Sequence, residues 1–152
     1  MNISRAAACA FVVLAVCSVG VPVEAGCTIS TVGVNFGTYD VFAATALASN
    51  GTLTLRCGSS DRNIQVHLST GDSGSYTPRE LSGPGGDVLD YNLHLDAAFT
   101  HIWGDGHSGT SVYSNNKPGK DVIHLSVYGR IAARQDVGAG SYDDTVVVEV
   151  NF

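Results

Sequence analysis

Apolar and polar residues alternate with period two through most of this chain, and that constrains its fold class more than any other feature. Residues 52–57 place Leu53, Leu55 and Cys57 on one side and Thr52, Thr54 and Arg56 on the other. Residues 63–69 do the same with Ile64, Val66 and Leu68 against Gln65 and His67, and 88–95 with Leu89, Tyr91, Leu93 and Leu95. In 122–131, Ile123, Leu125, Val127 and Gly129 face away from Val122, His124, Ser126 and Tyr128; in 145–152, Val146, Val148, Val150 and Phe152 share a side. This is the pattern of half-buried strands. A first strand is expected over 28–36, where Ile29 falls out of step with Val32, Val34 and Phe36 and predicts a bulge near Thr31.

Turn chemistry separates these runs. Asn50-Gly51 reads as a turn, 58–62 as the closure of a hairpin between its two flanking runs, and 71–87 as a Gly/Ser/Pro-rich stretch with a short edge strand near Arg79-Glu80-Leu81. Residues 41–48 could make two helical turns, but no segment offers a helix of ten residues. No internal repeat or second domain is visible. The expected core is Leu53, Leu55, Ile64, Val66, Leu68, Leu93, Leu125 and Val127. Many short strands with turns between them predict a sandwich or barrel.

Residues 1–25 read as a secretory signal peptide: Arg5 gives a basic start, 6–19 an apolar stretch, and Val23-Glu24-Ala25 a small residue before a cleavage point. An uncleaved anchor, or lipidation at Cys17, fits less well, because the run is short for a membrane span and Val16 is bulky for a lipobox. The domain is then 26–152. Export removes Cys9 and Cys17 and leaves Cys27 and Cys57, which read as one disulfide closing a loop of about 30 residues. Arg5 and Glu24 leave together, so 7 basic against 13 acidic residues remain and the balance stays at −6. That balance argues against a nucleic-acid groove and, once the signal is gone, against a polybasic membrane surface. Only 14% of residues are charged, against roughly 25% in an average domain, but the apolar content excludes a disordered chain.

About six main strands are visible where a complete immunoglobulin-type sandwich has seven, and the last apolar strand runs to Phe152 with nothing covering it. A sandwich short of a strand leaves an open edge and an apolar groove, which invites strand addition.

Enzyme chemistry is weakly signalled. Gly71-Asp72-Ser73-Gly74 resembles a serine-protease nucleophile segment, but a polar turn explains it better. The histidines lack HExxH spacing, and His67, His94 and His124 fall opposite the apolar face, where exposure is expected. A metal site from His101, Asp105 and His107, or a cation at Asp143-Asp144, competes poorly with plain turns. Asn50-Gly51-Thr52 fits a glycosylation triplet but reads as a turn. No catalytic, cofactor or metal residue is assigned.

Eight segments in order resemble the spore coat protein U domain, shared by subunits of archaic chaperone–usher pili: Gly26-Cys27, Val34-Asn35-Phe36-Gly37-Thr38-Tyr39, Gly51-Thr52-Leu53-Thr54-Leu55-Arg56-Cys57, Arg79-Glu80-Leu81, Leu89-Asp90-Tyr91-Asn92-Leu93, Trp103-Gly104-Asp105-Gly106, Val127-Tyr128-Gly129-Arg130-Ile131, and Gly138 through Val146. The resemblance covers essentially all of 26–152. It implies an all-β, incomplete immunoglobulin-like β-sandwich lacking one strand, completed by donor-strand complementation, and no enzyme activity. The implied partners are a periplasmic chaperone, an usher and neighbouring pilus or coat subunits. The chain would be secreted through the periplasm to the cell surface, a pilus or a spore coat. The donor-strand groove is expected at Val32, Val34, Phe36, Val146, Val148, Val150 and Phe152, with the Phe152 carboxylate as the chaperone's anchor. A shaft subunit needs a donor segment of about ten residues before the first cysteine, and cleavage after Ala25 leaves only Gly26. That points to a terminal or tip position. A surface adhesin module at a fibre tip, whose loops 71–86 and 100–116 touch a surface, is one alternative, and a coat protein assembling without an usher is another.

Overall fold

The computed structural model describes residues 26–152. The signal-peptide reading falls on residues 1–25 and lies outside them. Eight strands are formed: β1 (Thr28–Val32), β2 (Leu47–Arg56), β3 (Ile64–Leu68), β4 (Arg79–Ser82), β5 (Val88–His94), β6 (Tyr113–Asn115), β7 (Val122–Ile131) and β8 (Val148–Asn151). They make two antiparallel sheets, one in the order β1-β2-β7-β5-β4 and one in the order β6-β3-β8. The alternating rows meet between them. Leu53 and Leu55 from β2, Leu89, Tyr91 and Leu93 from β5, and Val127 and Ile131 from β7 bury against Ile64, Val66 and Leu68 from β3. Leu125 is the one expected core residue that stays half-buried, packed at the margin.

Several local expectations need correction, each for a physical reason. Asn50 and Gly51 are not a turn: they lie inside β2, opposite Tyr128 and Val127. Gly51 is glycine because β1 ends across it; a Cβ there would sit 2.5 Å from the Val32 carbonyl oxygen. The runs 52–57 and 63–69 are not a hairpin, since β2 and β3 belong to different sheets and face one another across the core. Alternation assigns a face to each residue but names no partner. No bulge occurs at Thr31, because β1 pairs β2 without interruption from Thr28↔Arg56 to Val32↔Thr52. The strand simply stops, and 34–36 is a separate non-strand segment. Residues 41–46 hold turns and bends rather than helix, and the last strand is shorter than expected, beginning at Val148.

Two residues outside the alternation argument organise the interior. Trp103, in what reads as a polar loop, is fully buried, and its indole N–H donates to the Val66 carbonyl at 2.9 Å. Arg79 is also fully buried. Its guanidinium donates to the Ser69 carbonyl from Nε (3.0 Å) and Nη2 (2.7 Å), to the Trp103 carbonyl from Nη2 (2.7 Å) and to Asn92 Oδ1 from Nη1 (2.8 Å). It lies over the Tyr76 ring, 5.0 Å from its centre. Burial lowers its pKa, and the three acceptors compensate the lost water.

Cys27 and Cys57 are joined as a disulfide, tying the start of β1 to the end of β2. Replacing both with alanine should lower unfolding free energy by roughly 3.5 kcal/mol on the chain-entropy account, measured as a shift in the urea midpoint.

His94 corrects the expectation of an exposed histidine: it is buried, edge-on to Phe99 with ring centres 5.3 Å apart, and its Nδ1 is 3.4 Å from the Tyr128 carbonyl oxygen. The loop after β5 folds back over it. Burial lowers its pKa below the ordinary 6.5, against the opposing effects of the Tyr128 carbonyl and Asp96, while Arg130 and Arg79 push it further down. The unfolded chain therefore binds this proton more readily than the native one. Stability from this site is complete above about pH 6.5 and falls as the medium is acidified below it. His94→Gln should flatten the pH dependence of the thermal midpoint between pH 7 and pH 5.

A candidate strand-accepting cleft

The two sheets do not close on one side. β1 is the last strand of the larger sheet and β8 the last of the smaller, so each has a free hydrogen-bonding edge among the described residues. Both edges border one cleft of about 530 Å³. Its floor is the edge of the buried core, formed by Leu53, Leu68, Leu93 and Val127. β8 ends where β1 begins, since a Cβ on Gly26 would touch the Phe152 ring at 3.5 Å. The two edges therefore run in opposite directions along the opening.

The segment after β1 forms the upper wall. Val34 and Phe36 lie over Gly129 of β7, where a Cβ would stand 2.7 Å from Val34 Cγ1 and 2.6 Å from Phe36 Cζ. Glycine at 129 is what lets this segment reach the core. The Phe36 ring meets Tyr91 edge-on, with centres 6.1 Å apart.

Of the residues assigned to a groove from sequence, Val32, Val34, Phe36, Val146 and Val148 border this cleft. Val32 does so from the rim: it lies opposite Thr52 on the outward row of β1 and is 70% exposed. Ile29 and Thr31, opposite Leu55 and Leu53, hold the inward row instead. Val150 is half-buried further down β8, and Phe152 lies beside Gly26, 52% exposed. Sequence reasoning missed Ile29, Thr31, Leu81, Tyr91 and Asp144 in the lining. The alternation phase, counted from Ile29 alone, would have found the first two.

One end of the cleft is polar. Asp144 accepts a hydrogen bond from the Tyr91 hydroxyl on Oδ2 (2.5 Å) and from the Asp72 backbone N–H on Oδ1 (2.8 Å). Burial first, then the Asp144 hydrogen bond and charge, push the Tyr91 phenol well above its ordinary range, so it remains a donor at any physiological pH.

The other chemistry-bearing groups do not assemble. The Ser73 hydroxyl bonds the Ser75 backbone within its own turn. His101 pairs with Asp96 (3.3 Å) and His107 with Asp105 (3.7 Å), as separate exposed contacts. Asp143 makes a backbone bridge to Ser82. Among the described residues, the one grouping of metal-ligand types is Cys27, Cys57 and Asp61, and its sulfurs are spent on each other. No helix among the described residues is long and apolar enough to cross a membrane.

Comparison with known proteins agrees with this architecture. The family model for the Spore Coat Protein U domain matches residues 13–149. A curated relative, Protein U of Myxococcus xanthus, is 25% identical over 130 residues, covering 78% of this chain and 70% of the relative. Among solved structures, a chain from the CsuC–CsuE chaperone–tip adhesion subunit pre-assembly complex, from archaic chaperone–usher Csu pili of Acinetobacter baumannii, superposes with a TM-score of 0.61 at 25% identity. That match covers 84% of the present chain, which spans only 40% of the length of the matched one. With a matching family model over most of its length and the all-β two-sheet fold such a domain requires, the chain belongs to the Spore Coat Protein U domain family.

Proposed function

We propose that this chain is a secreted, non-catalytic structural subunit of a chaperone–usher pilus or surface coat, and that it accepts a backbone strand from a partner in the cleft between β1 and β8. The observation that carries this is the coincidence of two free strand edges with an apolar opening between them. A free edge alone invites non-specific pairing, and an apolar groove alone invites any greasy surface. Together they fit an extended chain that pairs its backbone on both sides and buries alternate side chains on the floor. A periplasmic chaperone would fill the cleft in transit and hold the Phe152 carboxylate; a usher and a neighbouring subunit would follow. Cleavage after Ala25 would leave Gly26 alone before Cys27, which favours a terminal position, as in the tip subunit complex that the fold resembles.

The deciding experiment exports the chain with and without a candidate periplasmic chaperone. The expected result is a soluble one-to-one complex with it and aggregation or loss without it. A chain that purifies alone as a cooperatively folded monomer, its β1 and β8 amides protected from exchange, would refute the reading. Intact mass of the product reports the cleavage site and the domain start.

A further inference from the structure

We propose that the cleft selects a partner strand with apolar residues at alternate positions and a basic residue at its C-terminal end, where that residue meets Asp144; this rests on the strand-accepting role proposed above. Asp144 is the one charged residue among those lining the cleft. Tyr91 and Asp72 orient its carboxylate, with one donor on each oxygen, and each oxygen retains capacity for another. Exposed Asp72 and Asp143 flank it in chain or contact and add negative charge at the same end. The Arg79 guanidinium feels the Asp144 charge, but its hydrogen bonds go to Ser69, Trp103 and Asn92. No hydrogen-bonded cation answers the carboxylate in the described residues.

An apolar strand laid over this end would strip Asp144 of water and return nothing, whereas a lysine or arginine would replace the water with a charge-assisted hydrogen bond. β8 runs from Val148 to Asn151, away from Asp144. We take the strand to run antiparallel to β8, and so parallel to β1, which brings its last residues to Asp144; a peptide with the lysine at its first residue tests that choice of direction.

The test refolds the exported protein from urea with synthetic peptides of about nine residues, a typical filling strand's length. The peptides alternate valine and threonine and differ only in a final lysine, glutamate or leucine. The readout is the peptide concentration giving half of the maximal rise in unfolding midpoint. The lysine peptide should reach it at about tenfold lower concentration than the glutamate peptide in low salt, with the gap shrinking in high salt. Asp144→Asn should close the gap, and moving the lysine to the first residue should remove its advantage. Equal binding of the lysine and glutamate peptides overturns this inference and leaves strand acceptance standing. Failure of all peptides to bind overturns both. If Asp144→Asn does not refold, the peptide series on the unchanged protein still decides.

Discussion

Val148→Asp is expected to abolish recovery of the chain with a strand donor, while Glu149→Ala on the same strand should leave recovery unchanged. Val148 points into the cleft, opposite Leu68 of β3, and Glu149 points away from it. In the open cleft an aspartate at 148 keeps water and costs little. Once a strand covers it, the carboxylate is buried with no partner, at several kcal/mol; about 4 kcal/mol corresponds to roughly a thousandfold loss of affinity. Co-purification of tagged variants with the chaperone measures this. Equal yields for Val148→Asp and the parent would remove the cleft from the binding event. The contrast with Glu149 matters, because it separates a blocked cleft from a generally weakened β8.

Arg79→Met is expected to produce the largest change in intrinsic stability. Methionine fills much of the space but donates nothing, so the carbonyls of Ser69 and Trp103 lose their Arg79 donor in a buried site and Asn92 Oδ1 keeps only the Leu93 N–H. Each stranded buried acceptor costs about 1–3 kcal/mol, and the sum expected is about 3–5 kcal/mol, seen as a lower urea midpoint with an unchanged slope. Arg79→Lys restores the charge but not the planar fork that serves three acceptors, and should recover only part of the loss. An unfolding free energy within about 0.5 kcal/mol of the parent's, on the order of a neutral surface change, would mean that the acceptors find water instead.

The strands that could be read from sequence are those whose apolar row is unbroken. β7 spans the residues 122–131 that alternation marks, and β5 lies within 88–95. Reading failed where a contact distant in sequence decides the local conformation. Gly51 looks like a turn residue until Val32 is found crossing it, and His94 looks exposed until the Phe99 loop covers it. Arg79 and Trp103 carry no local mark of burial, since an arginine in a short strand and a tryptophan among glycines and aspartates both resemble surface. The cleft was legible only in outline. Counting strands from sequence suggested an open edge, although eight strands form rather than about six, and the phase error between Ile29 and Val32 put the wrong row of β1 inside the cleft.

The Cys27–Cys57 bond has a consequence for how the opening is entered. It rivets the start of β1 to the body at one extremity, whereas the other extremity runs into the 33–37 stretch, held by the packing of Val34 and Phe36 and by the Ser49–Asn35 hydrogen bond with no covalent link. Any loosening of β1 is therefore lopsided: it swings about the rivet like a gate on its post. If a strand enters the cleft as proposed, the end of β1 away from the sulfurs is the one free to give way to it.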